Sequence, residues 1–315
     1  SPVVVLPAES IGLKIGSLTI TNTILATLIA DVILILLAFS TWRFYRKGEG
    51  RGPKGLLNAF EAIIEFLWNT VSGSAGVKWG RRILPIVGTI FLLIFTANMI
   101  KLVPGFESIG TLKQVHEGTG YAPKALVHIG GFTLWTIDKG QPITVEASTN
   151  SEIEEMEGKA EPIAGESTAA PCTACEVVPL LRGTATDINF PFALAILTVV
   201  MTQFYGVWAQ GFKYFEKFFQ VRRLVKGGPF GVIDFVVGLL EIILEFAKVL
   251  SFGFRLFGNI FAGALLLSII GALTAVVVPA GLYIFEVFFG IIQAYVFFLL
   301  ATIFISGATV EHGHE

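Results

Sequence analysis

The stretch SFGFRLFGNIFAGALLLSIIGAL, residues 251 to 273, contains a single charged side chain, that of Arg255, among residues that are almost all apolar. An arginine side chain stays protonated throughout the physiological pH range. Placing a guanidinium inside a membrane helix costs about 3 kcal/mol on insertion scales, and more in simulations. The stretch therefore predicts a membrane-embedded helix in which Arg255 has a function that offsets this cost.

The composition of the whole chain is typical of a membrane protein. Of its 315 residues, 54% are hydrophobic and 15% are charged, against about 25% charged residues in soluble domains. The mean hydropathy is +0.74, and several apolar runs are long enough to cross a bilayer. The net charge of −2 indicates no basic surface for nucleic acid. No GxxxxGK[ST] phosphate loop is present, so we expect no nucleotide chemistry in this chain. We predict no cofactor, and the apolar runs indicate a lipid bilayer as the surroundings.

Apolar runs, basic linkers and one polar insert divide the chain into nine segments. We predict an all-α polytopic membrane protein with about five membrane-embedded helices. The segments are an N-terminal segment (1–18), a first transmembrane helix (19–41), a basic linker with an amphipathic surface helix (42–82), a second transmembrane helix (83–103), a polar insert (104–187), a third transmembrane helix (188–210), a basic linker (211–229), a long inclined helix (230–278), and a final helix with a polar tail (279–315).

The distribution of lysine and arginine orients this arrangement in the membrane. The linkers within 42–82 and 211–228 are rich in both residues, and such loops stay on the cytoplasmic side. The insert 104–187 is acidic and belongs outside, together with the N-terminus, and the C-terminus is then cytoplasmic. Within the insert, two strand-like runs flank the turn signal DKGQP (138–142), which predicts a β-hairpin over residues 125–148.

The segment from Phe230 to Val278 contains no proline and no polar loop. A continuous helix of this length is about 70 Å long, more than twice the thickness of the hydrocarbon core. It must therefore bend or lie strongly inclined. We expect Pro279 to end it and a final helix to follow over about 280–308.

The polar residues of these two helices fall on narrow stripes. Successive spacings of 4, 3, 7 and 4 place five of them on one helix face: Glu241, Glu245, Lys248, Arg255 and Asn259. Gly258 and Gly263 lie close to this face and allow another backbone to approach. Glu286 and Gln293, seven residues apart, share a face of the final helix. The stripes predict a buried polar line that conducts protons or ions. The alternative is a set of static ion pairs, between Glu286 and Arg255 or between Lys248 and Glu245.

Several motifs resemble subunit a of rotary, F-type ATP synthases. The segment SFGFRLFGNIFAG (251–263) is similar to the signature of that family, in which an arginine is followed by LFGN. TDIN (186–189), LIFTANMIKLVPG (93–105) and Gln293 resemble family features in the same order. The resemblance covers about 10–103 and 185–308. It implies two long inclined helices that wrap a ring of c subunits.

The resemblance also implies a set of roles. The protein would be the stationary, non-catalytic proton-channel subunit in the cell membrane. Its partners would be the c-ring, the b subunits of the peripheral stalk and other ATP synthase subunits. Arg255 would be the essential charge that separates two offset half-channels. Glu286, Gln293 and Asp187 would line the extracytoplasmic half-channel, and Glu241 and Glu245 the cytoplasmic one, with Asn259 as a polar neighbour. This chain departs from many bacterial members at Ala264, where they carry an ionisable residue, and at Glu286, where they often have histidine.

The insert contains both cysteines of the chain, in the motif PCTAC (171–175). A CxxC pair is half of a zinc site, a redox motif or a disulfide. With no second pair, a complete metal site is disfavoured, and an oxidising exterior favours a disulfide between Cys172 and Cys175 over free thiols.

Two other functions are compatible with intramembrane charges. A stand-alone secondary transporter would use them to bind its substrate, but the short broken helices and inverted repeats of that class are not evident. A structural membrane anchor would contain the charges merely as pairs, which leaves the single stripe and the helix lengths unexplained.

Overall fold

The structure is a computed structural model that describes residues 10–15, 18–46, 55–103, 106, 109–114, 118–129, 132–145, 172, 174–211, 213–214, 229–274 and 277–309. The chain forms two compact units. One combines Ser1–Asn22 with Val103–Arg182 and contains the strands; the other combines Thr23–Leu102 with Gly183–Glu315 and is helical. The predicted linker at 42–54 and the polar tail lie largely outside the described residues.

Five α-helices are present in the described part of the helical unit. They are α1 (Asn22–Arg46), α2 (Leu56–Lys101), α3 (Asn189–Gln210), α4 (Pro229–Leu273) and α5 (Val277–Thr309). Four of them, α1, α2, α3 and α5, are long and apolar enough to cross a membrane. These lengths agree with a polytopic membrane protein, and the number and tilt of the membrane-embedded helices remain predictions. The first span was predicted to begin at residue 19, but the helix begins at Asn22 because residues 18–21 form a strand.

Helix α2 consists of two helical segments joined at a kink. Gly76 at the junction has φ 69° and ψ 167°, a backbone conformation that residues with a Cβ rarely adopt. The segment before Gly76 corresponds to the predicted amphipathic helix. The segment after it begins at Val77, six residues before the predicted start of the second span, so Arg81 and Arg82 are already helical.

Helix α4 is continuous over 45 residues, which corresponds to a length of about 68 Å. Our assignment of its end was wrong: the helix stops at Leu273, and Pro279 lies inside the first turn of α5. Proline is tolerated in a first turn because the backbone N–H groups there have no helical partner. The break between the two helices therefore precedes the proline.

The core of the helical unit lies where α2, α3, α4 and α5 pack against one another. Its largest fully buried apolar side chains include Phe297, Phe298, Leu67, Ile83 and Leu256. Gly253 of α4 is required in this packing, because a Cβ there would lie 2.9 Å from the ring of Phe192 in α3. Many large apolar side chains on the outward faces of α1, α4 and α5 are exposed, as expected of helices that contact lipid or another apolar chain.

The other unit contains six strands in its described part, so the all-α assignment holds for the helical unit only. Ser10–Ile15 (β1) pairs with Leu18–Thr21 (β2), and the second sheet has the order β3-β6-β4-β5. Its strands are Gly110–Gln114 (β3), Gly118–Ile129 (β4), Phe132–Val145 (β5) and Cys175–Pro179 (β6).

A hairpin is present, formed by β4 and β5, but the predicted turn at DKGQP was wrong, because this segment lies inside β5. The register pairs Ile129 with Phe132, so the chain reverses between these two residues and not at DKGQP. Tyr121 pairs with Pro142 and Ala122 pairs with Asp138, so DKGQP forms a bulge within β5. A glycine inside a strand is a common mark of such a bulge, and the Gly130–Gly131 dipeptide is the stronger turn signal.

A disulfide joins Cys172 and Cys175 in the strand-containing unit, with their Cα atoms 5.6 Å apart. Both residues are buried. Gly120 of β4 lies against this segment, and a Cβ there would be 2.8 Å from the Cβ of Ala174. The close approach of β4 to Ala174 therefore depends on a glycine at position 120.

Candidate functional site

Arg255 lies on an exposed side of α4, next to the buried Leu256. Its Nη2 donates a long hydrogen bond, 3.4 Å, to Oγ of Ser251 one turn earlier. No carboxylate among the described residues forms an ion pair with Arg255. The guanidinium therefore faces outward from the helical unit, where a group from another chain can reach it.

One ion pair lies on α4 before Arg255. Nζ of Lys248 is 2.7 Å from Oε1 of Glu245, and the two side chains are 22% and 11% exposed. Lys248 also lies 5.0 Å from the ring centroid of Phe304 in α5. This Glu245–Lys248 pair precedes Arg255 by seven to ten residues, or about 10–15 Å along the helix. The stripe thus contains the static pair that the i+3 spacing allowed.

A cavity of about 330 Å³ lies on the other side of Arg255, between α2, α4 and α5. We call it the Glu286 cavity; its lining includes Asn98, Lys101, Asn259, Gly263, Glu286 and Gly290. Gly263 follows Arg255 by eight residues, or about 12 Å along α4. The cavity and the Glu245–Lys248 pair therefore lie on opposite sides of the arginine.

Within the cavity, Glu286 forms an ion pair with Lys101 of α2 through its Oε1. The two side chains are 13% and 7% exposed. The suggested static pair between Glu286 and Arg255 is therefore wrong for this structure. Lys101 lies in the last turn of α2, where the negative end of the helix dipole favours a cation.

Small side chains and one hydrogen bond bring the three helices together around this pair. Nδ2 of Asn98 donates to the backbone oxygen of Gly290 at 3.1 Å. A Cβ at Gly290 would lie 3.3 Å from Cβ of Asn98, and a Cβ at Gly263 would lie 3.3 Å from Oε1 of Glu286. Gly263 therefore leaves space for the carboxylate of Glu286. From the sequence, we expected it to allow the backbone of another helix to approach. Around Gly258 the space within 4 Å is open.

A weaker polar contact connects α4 and α5 between the cavity and Arg255. Nδ2 of Asn259 lies 3.5 Å from Oε1 of Gln293, at the outer limit of a hydrogen bond. Gln293 is buried, and its Nε2 has no hydrogen-bond partner among the described residues. Such a buried donor is costly unless another acceptor, such as water, reaches it.

Asp187 lies just before α3 and does not line the Glu286 cavity. It is buried, and its carboxylate accepts hydrogen bonds from Oγ1 of Thr23 at 3.2 Å and from the backbone N and Nδ2 of Asn189, both at 3.1 Å. Here it connects the start of α1 to the start of α3. Glu241 is half-buried, one turn before Glu245 on α4.

The structure brings Glu286 and Asn259 to one cavity, with Gln293 beside it, and places Glu241 and Glu245 on the opposite side of Arg255. Sequence reasoning missed Lys101 and Asn98, which complete the cavity from α2. A lysine inside the apolar run that precedes Val103 was the available signal, because ionisable residues within membrane segments usually have a function.

The fold and the site define a multi-pass membrane protein with ionisable side chains buried between its helices. A family model for the ATP synthase A chain matches residues 24–306, and the chain belongs to this family. Relatives named ATP synthase subunit a include one from Campylobacter jejuni strain NCTC 11168, 26% identical over 265 residues, which covers 83% of this chain and 80% of the relative. Another, from Helicobacter pylori strain G27, is 26% identical over 264 residues, with the same coverage.

Family membership makes the chain a subunit of the proton-translocating membrane sector of an ATP synthase, and such a subunit is non-catalytic. It also implies association with other subunits of that complex. The stand-alone transporter and the simple membrane anchor are thereby replaced as descriptions of the whole protein.

Proposed function

We propose that this chain is the stationary subunit that couples proton flow to rotation of a c-ring, through two offset half-channels separated by Arg255. The observation that carries the proposal is the placement of Arg255. It is exposed on α4 without a carboxylate partner among the described residues, while Glu286 and Glu245, on either side of it, each have a lysine.

The electrostatic role of Arg255 follows from its chemistry. Each c subunit would carry one carboxylate in the middle of the membrane, which can face lipid only when it is protonated and neutral. Arg255 attracts the ionised form, and because the guanidinium does not release its proton, it cannot pass protons on. A proton can then cross only by riding on a c subunit around the ring, and one charge crossing 100 mV releases about 2.3 kcal/mol.

The two half-channels correspond to the two polar regions along α4. Protons from outside would reach the ring through the Glu286 cavity, with Gln293 and Asn259 between it and Arg255. Protons would leave to the cytoplasm past Glu241 and Glu245. Asp187, which holds the starts of α1 and α3 together, would act at the mouth of the outer route. The unpartnered Nε2 of Gln293 is consistent with water in this region.

The orientation and partners of the chain complete the proposal. Lysine and arginine in the linkers 42–82 and 211–228 favour their placement in the cytoplasm. The N-terminus and the strand-containing insert would then be outside, and the C-terminus in the cytoplasm, in the plasma membrane of a bacterial cell. The c-ring would cover the exposed Arg255 face, and the b subunits of the peripheral stalk would keep the chain from rotating.

The test compares Arg255→Ala with wild type in vesicles that contain the whole complex. ATP-driven acidification and passive proton leak under an imposed gradient are measured on the same preparation. We expect coupled acidification to be lost, with or without a rise in leak. Ser251→Ala is the matched control, because it removes the one hydrogen bond of Arg255 among the described residues and leaves its charge. Acidification by Arg255→Ala at a near wild-type rate would overturn the proposal.

A further inference from the structure

Lys101 is the residue of the Glu286 cavity that the proposed function does not yet use. Among the lining residues of this cavity, Lys101 and Glu286 are the two that carry charge. They come from different helices and are 185 positions apart in sequence. Their contact is therefore not a consequence of spacing within one helix. Their contact is a property of the folded helical unit.

A neutral contact already joins the same two helices beside the ion pair. Asn98, one turn before Lys101, donates its side-chain amide to the backbone of Gly290, one turn after Glu286. Buried ion pairs add little net stability, because desolvation of the two charges offsets their attraction. Holding α2 against α5 therefore does not require Lys101 and Glu286 to be charged.

The geometry around the pair fixes the position of the carboxylate. Oε1 of Glu286 contacts the ammonium of Lys101. Gly263 lies so close to the same oxygen that a Cβ there would be 3.3 Å from it. The carboxylate is thus confined at the cavity wall that α4 shares with Arg255.

We propose that Lys101 is a positioning residue of the proton path, which returns the Glu286 carboxylate to this place after every proton transfer. The inference rests on the proposed role of Glu286. A proton that enters the cavity bonds to a carboxylate oxygen of Glu286, and the ion pair with Lys101 is lost. The O–H bond then breaks as the proton passes towards an ionised c-subunit carboxylate, and the regenerated carboxylate pairs with Lys101 again. Lys101 itself transfers no proton.

The experiment measures ATP-driven acidification by the whole complex in vesicles for Lys101→Met, Lys101→Arg and Lys78→Met. Methionine keeps most of the length and apolar volume of lysine but has no charge, whereas arginine keeps the charge. We expect acidification to fall about tenfold or more in Lys101→Met, because the Glu286 carboxylate is left uncompensated, and to be largely kept in Lys101→Arg. Lys78→Met, on an exposed part of α2, is the control for loss of a lysine and should resemble wild type.

A structural role predicts a different pattern. If Lys101 only fills space, Lys101→Met keeps its activity, and the inference is overturned. If the complex with Lys101→Met does not assemble, the exchange variant Lys101→Glu/Glu286→Lys is tested instead. This variant restores the ion pair, with the carboxylate now on α2. Acidification above that of the single variants Lys101→Glu and Glu286→Lys supports the inference, and acidification no higher than theirs in an assembled exchange variant overturns it.

Arg255→Ala in the same vesicles separates the two ways in which this result can fail. If Arg255→Ala loses acidification and Lys101→Met does not, the inference about Lys101 fails alone. If both variants keep wild-type acidification, the proposed function fails together with the inference about Lys101.

Discussion

The two charged pairs on either side of Arg255 differ in their surroundings. Lys101 and Glu286 come from separate helices and line a cavity of about 330 Å³. Glu245 and Lys248 come from one turn of α4, and Lys248 is three times as exposed as Lys101, at 22% against 7%. Water that reaches Lys248 can replace a lost partner, whereas the Lys101–Glu286 pair is held by protein on several sides.

The difference in exposure indicates where the proton path depends most on a single side chain. In the Glu286 cavity, one carboxylate stands among the lining residues and is placed by a neighbouring charge, so no second acid of the lining can take its part. Around the Glu245–Lys248 pair, the water that reaches Lys248 and the second acid Glu241 can share the task. We therefore expect removal of a charge in the Glu286 cavity, at Lys101 or Glu286, to have a larger effect than removal of one at the Glu245–Lys248 pair.

The largest expected effect belongs to Glu286→Gln. It removes the proposed proton acceptor, and acidification should fall about 100-fold, the scale of a lost acid–base group. The rate of ATP-driven acidification is measured at equal amounts of assembled complex. Glu65→Gln, on an exposed face of α2, is the matched control. The double variant Lys101→Met/Glu286→Gln removes both charges; if it acidified vesicles at the wild-type rate, Glu286 would not carry protons.

An intermediate effect is expected at the other pair. Glu245→Gln and Lys248→Met should each lower acidification by about threefold. Glu245 is buried, but Lys248 is partly exposed and Glu241 lies one turn away, so water and this second acid can replace the missing group. The same assay measures both, next to Glu286→Gln. A loss as large as that of Glu286→Gln would remove the contrast between the two regions.

The smallest expected effect tests the space beside the Glu286 carboxylate. Gly263→Ala places a methyl group 3.3 Å from Oε1 of Glu286, so the side chain must shift by a few tenths of an ångström, and we expect acidification to fall about twofold. Gly281→Ala is the control, since nothing lies within 4 Å of a Cβ at that position. Equal rates for the two variants would show that the position of the carboxylate is not critical.

The sequence predicted those features that repeat along a single helix. The spacing of Glu241, Glu245, Arg255 and Asn259 placed them on one face of α4, and the i+3 spacing allowed the Glu245–Lys248 pair. The length of the apolar segment predicted a helix too long for an upright span. Helical periodicity is a local property, so it can be recognised without knowledge of the neighbours.

Contacts between helices could not be predicted in this way. The one partner considered for Glu286, as the alternative to a conducting line, was Arg255 of α4. The structure has the partner on α2, at a lysine close to the predicted end of a span. Pro279 and DKGQP were similarly interpreted from local signals. The proline is tolerated in a first turn, and the DKGQP segment is absorbed as a bulge because β4 and β5 pair on both sides of it.

The most direct measurement of the central claim is the side from which each polar region can be reached. In the complex with Cys172→Ser and Cys175→Ser, a cysteine is placed at Leu282, in the lining of the Glu286 cavity, or at Glu241. A membrane-impermeant thiol reagent is then applied to one face of sealed vesicles. We predict that the cysteine at 282 reacts only from the face opposite the basic linkers, and the cysteine at 241 only from the face of the linkers. Reaction of both from the same face would contradict two half-channels separated by Arg255.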